Sequence, residues 1–415
     1  MAQALNRDVP SPARKRSAKR DAILDEGALV MNRDGAGSVR VGDIAEVLGL
    51  SRNALYYYVK DRSDLVRQCY ERSCDTIEAS LDHAASLSGD AAQKVTEFVK
   101  HSLVPDHAQR AALADIAILN KADCDAIRHR QARHVASLSS LFDSGQAAGT
   151  FRAFDSLTAA HALLGMIDWV LHWASWTARR QQPANTLNDY ANAVVDCLLN
   201  GFVLSDASQF ECAANYVSIS QKHFNVFDRQ DANLLRRQQL VEAASRVFNV
   251  AGLDGGSIEM IADAVGATKG AVYHHFESKA DLVEGCYEHA FFVYELVAQV
   301  AHEQAATPAE ALLIDFHLNC QAQASLAPPL ILQPGIMRLP DRYLKRSTAL
   351  ADQMLATFLE GQKRRHIRDA SPLTVEVAPG AFFWIQKWHD SLPQHNGQLL
   401  ADELTSIIGS GILST

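Results

Sequence analysis

The strongest constraint on the fold is an internal repeat, seen when the sequence is compared with itself at a shift of 217 residues. Between residues 44–71 and 261–288, 11 of the 28 aligned positions are identical without a gap. About two identities would be expected by chance at typical residue frequencies. The chain is therefore predicted to contain two copies of one unit of roughly 200 residues, much longer than a solenoid repeat.

The similarity extends into the second part of each copy. At nearly the same shift, Gly145-Gln146 matches Gly361-Gln362, Arg152 matches Arg368, and Gly165, Trp169 and Trp173 match Gly380, Trp384 and Trp388. Apolar residues recur every three or four positions and alternating runs are nearly absent, so both copies are predicted to be all-α. In the first copy, after a helix that ends before Asp34, we expect helices over 63–86, 92–103, 108–120, 124–148, 156–180 and 187–203.

Composition excludes several protein classes. Hydrophobic residues make up 48% of the chain and charged residues 21%, which is typical of globular proteins rather than disordered ones. The seven cysteines are widely spread without a Cys-x-x-Cys pair, so neither a disulfide framework nor a zinc ribbon is expected. No run of about 18 apolar residues and no apolar N-terminal stretch occurs, which predicts a cytoplasmic protein without a membrane span.

A pair of short helices follows the first helix of each copy. In the first copy, residues 41–48 are predicted as one helix, Gly49-Leu50 as the turn, and Ser51 as the N-cap of a helix over 52–58. The corresponding elements of the second copy are residues 258–265, Gly266-Ala267, Thr268 and residues 269–275. The predicted core of the first pair consists of Val41, Ile44, Ala45, Leu48, Leu55 and Val59. The pattern predicts a helix-turn-helix whose polar and aromatic second helix enters a DNA major groove.

These residues resemble the DNA-binding signature of the TetR family of bacterial transcriptional regulators. The similarity is carried by VGDIAEVLGLSRNALYYYVKDRSDLV in the first copy and by IEMIADAVGATKGAVYHHFESKADLV, the closer match, in the second. The remainder of each copy matches mainly in length, helicity and the Gly…Trp…Trp motif. The family implies an all-α fold, dimers that pair through their last two helices, and small-molecule ligands that release operator DNA.

The resemblance also implies which residues contact DNA. On the second helix of each motif these are Arg52, Asn53, Tyr56 and Tyr57 in the first copy and Lys269, Gly270, Tyr273 and His274 in the second. Arg62 and Lys279, which open the following helices, resemble the family's phosphate-binding lysine. Arg40, Ser51, Ser257 and Thr268, which lie at helix starts, complete the predicted DNA-binding set.

Family members ordinarily carry one such unit and dimerise, whereas this chain carries two. We therefore predict two tandem TetR-like units that form an intramolecular pseudo-dimer. The predicted divisions are a basic arm (1–18), a helix-turn-helix domain (19–62), a helical regulatory domain (63–203), a linker (204–231), and a second helix-turn-helix (232–279) and regulatory domain (280–415). Because Arg52-Asn53 differs from Lys269-Gly270, the operator is expected to be asymmetric, with half-sites ~34–36 Å apart.

The two copies differ in charge, within a net charge of -9 for the chain. Residues 11–72 hold 12 basic and 9 acidic residues, whereas residues 229–288 hold 6 and 9. The basic excess lies in the arm, in Arg14, Lys15, Arg16, Lys19 and Arg20. The arm either follows the DNA phosphates or minor groove, or is a solvated, disordered tail. We expect both copies to contact DNA, the alternative being that the acidic second copy has lost this role.

An aromatic stripe lies on the penultimate helix of each copy. It contains Trp169, His172, Trp173 and Trp176 in the first copy and Phe382, Phe383, Trp384, Trp388 and His389 in the second. Positions three and four apart share a helix face, which favours a pseudo-dimer interface or core. The alternative is the wall of a pocket for a small hydrophobic or aromatic effector. Both interpretations can hold at once, with one tryptophan of a pair at the interface and the other at the pocket.

Catalytic and metal chemistry find no support in the sequence. The sixteen histidines are scattered without a metal-binding pair, and no nucleophile elbow, dinucleotide loop or phosphate loop occurs, so neither an enzyme nor a cofactor is expected. The favoured function is a ligand-responsive repressor, in which an effector changes the spacing of the two DNA-binding helices. The alternative is a DNA-organising or protein-recruiting factor without a small-molecule effector.

Overall fold

The computed structural model describes residues 12–103, 109–177, 185–204, 210–220, 228–334, 340–389 and 397–414, without the side chains of 12–15 and 175–177. Within these ranges the chain is helical and forms no β-strand. Two isolated antiparallel bridges join Phe151 to Leu413 and Val203 to Ile367. The predicted all-α fold class is confirmed.

The helices of the first half follow the predicted order. They are α1 (Pro12–Asp34), α2 (Val41–Val47), α3 (Arg52–Leu55), α4 (Arg62–Ser86), α5 (Ala91–Leu103), α6 (Lys121–Ala147), α7 (Ser156–Thr177) and α8 (Leu187–Asn200). Short 3₁₀ turns cover Ala36–Ser38 and Ile116–Ile118. The recognition helix α3 is shorter than expected, since a turn replaces its predicted last residues.

The predicted helix over 108–120 is wrong. Residues 109–119, the first connecting segment, are non-helical apart from the turn at Ile116–Ile118. Their side chains from Arg110 to Ile116 are all buried, so the segment has no exposed face that an amphipathic helix would present to water. Its backbone groups bond to side chains of other elements instead, which satisfies them without helical hydrogen bonds.

The second half repeats this order with one interruption. Its helices are α9 (Tyr216–Ser220), α10 (Arg229–Gly255), α11 (Ile258–Ala264), α12 (Lys269–His275), α13 (Lys279–Gln304), α14 (Pro308–Gln323), α15 (Asp341–Lys363), α16 (Thr374–Val377), α17 (Gly380–Phe383), α18 (Ile385–Trp388) and α19 (Gly397–Ser410). The single penultimate helix expected here is wrong, because α16, α17 and α18 replace it. Pro379 cannot donate a backbone hydrogen bond, and Trp384 departs from helical geometry.

Equivalent residues tie each connecting segment to the first helix of its own half. The side chain of Asn32 on α1 bonds to one carbonyl and one amide of the first connecting segment, both at 2.8 Å. The side chain of Asn249 on α10 makes the same two bonds to the second connecting segment, residues 328–334, at 2.9 Å. These asparagines are 217 positions apart, so the sequence repeat is matched by repeated contacts.

A second pair of equivalent contacts lies next to these. The backbone amide of Asp115 donates to the hydroxyl of Tyr70 at 3.2 Å, and the amide of Gln333 donates to that of Tyr287 at 3.3 Å. Asp115 Oδ2 accepts from the Ala36 amide, just after α1. The connecting segments therefore join helices α4 and α13 to the ends of the first helices.

The two halves contact each other through their late helices. Helix α7 crosses α17 at Gly165 and Gly380, which correspond in the repeat. A Cβ atom at Gly165 would lie 2.5 Å from the carbonyl oxygen of Gly380, and one at Gly380 would lie 2.6 Å from the Cα of Met166. Only glycine allows so close a crossing. One continuous apolar core includes residues of α7 and α8 together with α17 and α19.

Reciprocal hydrogen bonds border this contact. Arg152 Nε donates to the carbonyl of Gly411 at 2.7 Å, and its counterpart Arg368 donates to the carbonyl of Gly201 at 2.6 Å. The backbone amide of Phe202 donates to Gly409 at 2.8 Å. Each half thus inserts an arginine onto the carbonyl that follows the last helix of the other half.

The ends of the predicted arm and linker differ from expectation. The arm predicted over 1–18 is helical from Pro12, as part of α1, so its described part is not a disordered tail. In the predicted linker, 204–231, Tyr216 on α9 is buried against α13 and α14, and α10 already begins at Arg229. The described part of the linker therefore packs on the second half.

Candidate DNA-binding surface and effector cavities

Local hydrogen bonds fix the helix-turn-helix of the first half. Ser51 Oγ accepts a bond from the amide of Ala54 at 3.2 Å, which caps α3 as predicted. Gly49 has a φ of 62°, a conformation that favours glycine, and it closes the turn after α2. The predicted core residues are buried, except that Leu48 is half-buried. The sequence pattern therefore positions α3 against α2 correctly.

The second half builds the same motif with its own caps. Thr268 Oγ1 accepts from the amide of Ala271 at 3.2 Å and caps α12, and Gly266 has a φ of 62°. Ser257 Oγ accepts from the Met260 amide and caps α11. Ser257, which was predicted to contact DNA, is half-buried, and its hydroxyl is used to cap α11.

Most residues predicted to contact DNA are exposed. The exposed set consists of Arg40, Ser51, Arg52, Asn53, Tyr56, Tyr57, Arg62, Thr268, Lys269, Gly270, Tyr273 and His274. Tyr56 and Tyr57 are 52% and 59% exposed and Tyr273 is 45% exposed, which is unusual for large aromatic side chains without a binding role. The chain therefore presents a polar and aromatic surface on each recognition helix.

The two predicted phosphate-binding residues differ in environment. Arg62 Nη1 donates to the carbonyl of Gly37 at 3.0 Å while its side chain stays exposed. Lys279 is half-buried over the ring of Phe248, and burial lowers the pKa of its ammonium group. Lys269 on α12 forms an ion pair with Glu259. The second motif thus offers less free positive charge.

The basic part of α1 lies beside the first recognition helix. The guanidinium carbon of Arg16 lies 4.3 Å from the ring centroid of Tyr57, a cation–π distance. Arg20 donates two hydrogen bonds to the side chain of Gln68 on α4. Helix α1 thus brings positive charge to the same surface as Tyr57. Arg14 and Lys15 lie outside the described side chains.

The two helix-turn-helix domains contact each other where the turn after α1 meets the C-terminal end of α10. The backbone amide of Gly37 donates to Asp254 Oδ2 at 3.0 Å, and these two positions correspond at the shift of 217 residues. A Cβ atom at Gly252 would lie 1.9 Å from the carboxylate of Asp115, so Asp115 of the first half packs directly on the second motif. The regions that precede the two motifs are therefore in direct contact.

A cavity of about 150 Å³ lies in the second half and is closed by the first. It is bounded by Phe291, Leu350, Met354, Phe382 and Phe383, by the carboxylates of Asp315, Asp352 and Glu376, and by Trp169 and Trp173 of α7. The carboxylate of Glu376 accepts bonds from Trp173 Nε1 at 2.7 Å and from Tyr190 at 3.1 Å. Burial raises the pKa of Asp315 to about 7.

A cavity of about 300 Å³ lies in the first half and is closed by the second. Its walls include Leu113, Ile116 and Val135, the polar residues Arg110, Arg128, His134, His161 and Asp168, and Trp384, Lys387 and Trp388 from the second half. The rings of His161 and Trp388 stack at 4.5 Å. The cavities are thus related by exchange of the halves.

The aromatic stripes lie at the contact between the halves and also along the two cavities. Trp169 stacks on Phe383 of the other half at 4.3 Å, and Trp384 Nε1 donates to the carbonyl of Gly165 at 3.2 Å. The same tryptophan pairs line the two cavities. His172 is instead a buried core residue whose Nδ1 donates to the carbonyl of Asn32 at 3.1 Å. The side chain of Trp176 lies outside the described residues.

Known proteins with similar sequences identify the family. The family profile described as "Bacterial regulatory proteins, tetR family" matches residues 240–286, which contain the second helix-turn-helix. The profile "Tetracyclin repressor-like, C-terminal domain" matches residues 89–201, which contain the helices of the first half from α5 to α8. The chain carries TetR-family sequence in both halves. The TetR-family DNA-binding and regulatory regions are therefore both represented, one in each half.

Individual TetR-family relatives match parts of the chain. HTH-type transcriptional regulator AcrR of Shigella flexneri is 34% identical over 20% of this chain and 40% of its own length. HTH-type transcriptional repressor AcnR of Corynebacterium diphtheriae is 24% identical over 34% of this chain and 73% of its own length. Among solved structures, the ketosteroid transcriptional regulator KstR2 of Mycobacterium tuberculosis is 21% identical, with 43% of this chain and 96% of that chain covered, at a TM-score of 0.37.

Within the described ranges no helix combines the length and apolarity that a membrane crossing requires. Among the described residues no group of three or more histidine, cysteine or acidic side chains could hold a metal ion.

Buried His172 gives the first half a defined sensitivity to acid. Burial lowers its pKa to about 4 from an ordinary value of 6.5, so the unfolded chain binds a proton that the folded chain excludes between these pH values. Its contribution to stability is present above pH 6.5 and is lost as the pH falls toward 4, by about 3 kcal/mol. We expect His172→Gln to retain more of its pH 7 stability at pH 4.5, as measured by urea unfolding. The exposed His129→Gln variant should keep the wild-type acid sensitivity, and equal loss in both variants would contradict the assignment.

Proposed function

We propose that the chain is a ligand-responsive TetR-family repressor that acts in the cytoplasm as a covalent pseudo-dimer, with both helix-turn-helix motifs on one operator. The observation that carries this proposal is the reciprocal contact between the halves. Arg152 and Arg368 each donate an equivalent hydrogen bond to a backbone carbonyl of the other half. Gly165 also crosses its counterpart Gly380, and such paired contacts are typical of an isologous dimer interface. Joining the halves in one chain replaces a second protomer by a partner at high effective concentration.

The proposed domain boundaries remain those predicted from the sequence, with one refinement at each edge. The first helix-turn-helix domain takes in α1 from Pro12, so the arm is limited to the residues before it. The second begins with α10 at Arg229. The residues proposed to contact DNA are the exposed ones on α3 and α12 and at their caps Ser51 and Thr268, together with Tyr56 and Tyr57 in the turn after α3 and with Arg40, Arg62 and Lys279. Ser257 is proposed to act through its helix cap.

Differences between the motifs support an operator with non-identical half-sites. In the first motif the guanidinium group of Arg52 and the side-chain amide of Asn53 can both bond to base edges. In the second motif Lys269 is followed by Gly270, which has no side chain for such a bond. Lys269 forms an ion pair with Glu259, so its release for DNA contact requires an exchange of partners. The first motif also gains Arg16 beside Tyr57. We therefore expect it to supply more of the binding free energy.

The connecting segments supply a route from the cavities to the DNA-binding motifs. The first segment contributes Arg110, Leu113 and Ile116 to the wall of the larger cavity. The same segment holds Asp115, whose carboxylate accepts a bond from the amide of Ala36 just after α1 and packs on Gly252 near the end of α10. An effector that shifts this segment would change the relative position of both motifs. Repression would then end because their spacing no longer fits successive major grooves.

Selection of bound DNA from a random pool tests this proposal. The wild-type chain should enrich one asymmetric site, with one chain per site. Arg52→Ala/Tyr56→Ala and Lys269→Ala/Tyr273→Ala should each lose sequence preference in a different half-site and bind roughly 10- to 100-fold more weakly. The exposed Lys363→Ala/Arg364→Ala variant at the end of α15 serves as the control and should bind normally. A perfect palindrome bound by two chains would contradict the pseudo-dimer.

A further inference from the structure

The larger cavity contains a buried arginine that is only partly paired. Arg110 is 3% exposed and lines the cavity of the first half. Its Nη1 donates to Asp168 Oδ1 at 2.8 Å, whereas its Nε and Nη2 have no hydrogen-bond partner among the described residues. Unsatisfied donors of a buried charged group are costly, and native proteins rarely keep them without a partner. These two donors are suited to an anionic oxygen.

The second half brings another cation to the same cavity. The ammonium group of Lys387, which precedes Trp388 on α18, donates to the carbonyl of Ala114 at 2.6 Å and lies 4.0 Å from the ring centroid of Trp384. Lys387 has no equivalent lysine in the first half, where His172 occupies the corresponding position. Burial lowers the pKa of Lys387 to about 8, so its ammonium group is still mostly protonated at neutral pH.

The carboxylates near these cations offset their charge only in part. Arg128 lies at the exposed edge of the cavity, and Asp168 supplies the carboxylate among the residues that line it. Burial lowers the pKa of His161 to about 4, and the pKa of His134 is also lowered by burial, so both rings are neutral at pH 7. Asp168 pairs with Arg110 and Asp115 lies near Lys387, so these two carboxylates offset two of the three cations and Arg128 leaves a small positive balance.

The cavity of the second half has the opposite character. Its charged lining consists of Asp315, Asp352 and Glu376, with His302 as the basic residue. An anion would meet carboxylates there. The two cavities occupy equivalent places in the halves but differ in the sign of their charge, which predicts different ligands for each.

We propose that the cavity between the first half and α18 binds a small organic carboxylate, whose oxygens pair with Arg110 and whose charge is also offset by Lys387 of the second half. Leu113, Ile116 and Trp384 supply apolar surface for the rest of the ligand. A volume of about 300 Å³ is at the lower end of the about 300–1,000 Å³ typical of ligand pockets, so the ligand is small. This inference names the effector class for the regulatory cavity and rests on the proposed function for its regulatory consequence.

Titration calorimetry with benzoate on the full chain tests the site directly. Benzoate should bind saturably at one molecule per chain, because the second cavity repels it. Benzamide, which has nearly the same shape without the charge, should bind at least about tenfold more weakly. Benzylamine should not compete. Equal binding of benzoate and benzamide, or no saturable binding of benzoate, overturns the proposal.

Two variants assign the charge to named residues. Lys387→Met keeps the length of the side chain and should weaken benzoate binding at least about tenfold, and Arg110→Gln should do the same. The exposed Lys121→Met on α6 is the matched control and should bind as the wild type. Thermal unfolding checks that each variant folds. If Arg110→Gln does not fold, the benzoate affinity of Lys387→Met alone tests the proposal. Unchanged affinity in Lys387→Met overturns the proposal.

The pH dependence provides a readout that a merely structural role would not change. The charged groups around Lys387 in this cavity are Arg110, Arg128, Asp168 and nearby Asp115, and burial lowers the pKa of Lys387 itself to about 8, so it loses its proton between pH 7 and pH 9. Benzoate affinity should therefore fall over this interval in the wild type and stay constant in Lys387→Met. Operator binding is measured separately by fluorescence anisotropy. Benzoate binding without any effect on operator binding would support the site and contradict its regulatory role. Intact operator binding without benzoate binding would overturn the site and leave the proposed DNA-binding function standing.

Discussion

Gly201→Ala is expected to destabilise the protein by about 2–5 kcal/mol. Gly201 ends helix α8 with φ 63° and ψ -162°, a conformation that residues with a Cβ atom strongly disfavour. The added Cβ would also lie 2.1 Å from the carbonyl oxygen of Gly409 in the other half. That oxygen accepts the amide of Phe202, so the backbone cannot move away without breaking a bond between the halves. Urea unfolding followed by circular dichroism measures the effect.

Gly149→Ala separates conformational strain from the contact between the halves. Gly149 has a similar φ of 75°, but no atom lies within 4 Å of the position of an added Cβ. The control should therefore lose only about 1–2 kcal/mol, the cost of the backbone conformation. Equal destabilisation by the two substitutions would show that the halves are not packed closely at Gly201. A larger loss in Gly201→Ala supports the tight join on which the pseudo-dimer depends.

The helix-turn-helix motifs could be predicted from the sequence because their signals are local. Ser51 and Thr268 cap the helices that follow them, and Gly49 and Gly266 take the positive φ of the turns. Each feature depends on a few neighbouring residues, so it can be recognised without knowing the remaining structure. The exposure of the tyrosines follows from the same helical spacing, since their neighbour Leu55 is buried.

The connecting segment could not be predicted because its conformation depends on distant partners. Residues 109–119 are mostly apolar, which favours a helix when local spacing alone is considered. In the folded protein, Asn32 holds their backbone, Tyr70 accepts the amide of Asp115, and Lys387 donates to Ala114. These partners lie up to 273 positions away along the chain. Tertiary contacts therefore outweigh the local preference.

The broken penultimate helix of the second half has a similar explanation. Its aromatic residues have the same spacing as those of α7, so a single helix was expected there as in the first copy. Pro379 interrupts the backbone bonds, and Trp169 Nε1 donates to the carbonyl of Glu376 at 2.7 Å. The pocket charges were equally hidden, because Arg110 and Lys387 come from different halves and meet only in the folded chain.

Joining two units in one chain allows residues at the axis between them to differ. In a symmetric homodimer a residue on the two-fold axis faces its own copy, so an acidic residue there would face another acid. Here Gly37 faces Asp254, and the glycine leaves the space that the aspartate fills. The two halves also differ at the equivalent positions 172 and 387, which hold His172 in the first half and Lys387 in the second. The proposed pseudo-dimer would thus keep a contact that a symmetric homodimer could not.

Exchanging the residues of this pair tests whether the contact sets the spacing of the motifs. Gly37→Asp should place two carboxylates against each other and overlap the side chain of Asp254, whose Cγ lies 2.2 Å from the position of an added Cβ. Repulsion and overlap of the order of 1–3 kcal/mol should weaken operator binding roughly 10- to 100-fold. Asp254→Gly alone removes one hydrogen bond and should cost about fivefold or less.

The double variant Gly37→Asp/Asp254→Gly is decisive because it restores one aspartate and one glycine on opposite sides. Its operator affinity should recover to within about fivefold of the wild type, since the contact is re-formed in mirrored order. Fluorescence anisotropy with the selected operator measures all four proteins, and thermal unfolding confirms that each is folded. Additive losses in the double variant would mean that the two residues act independently. The direct contact between the motifs would then not determine how they are spaced on DNA.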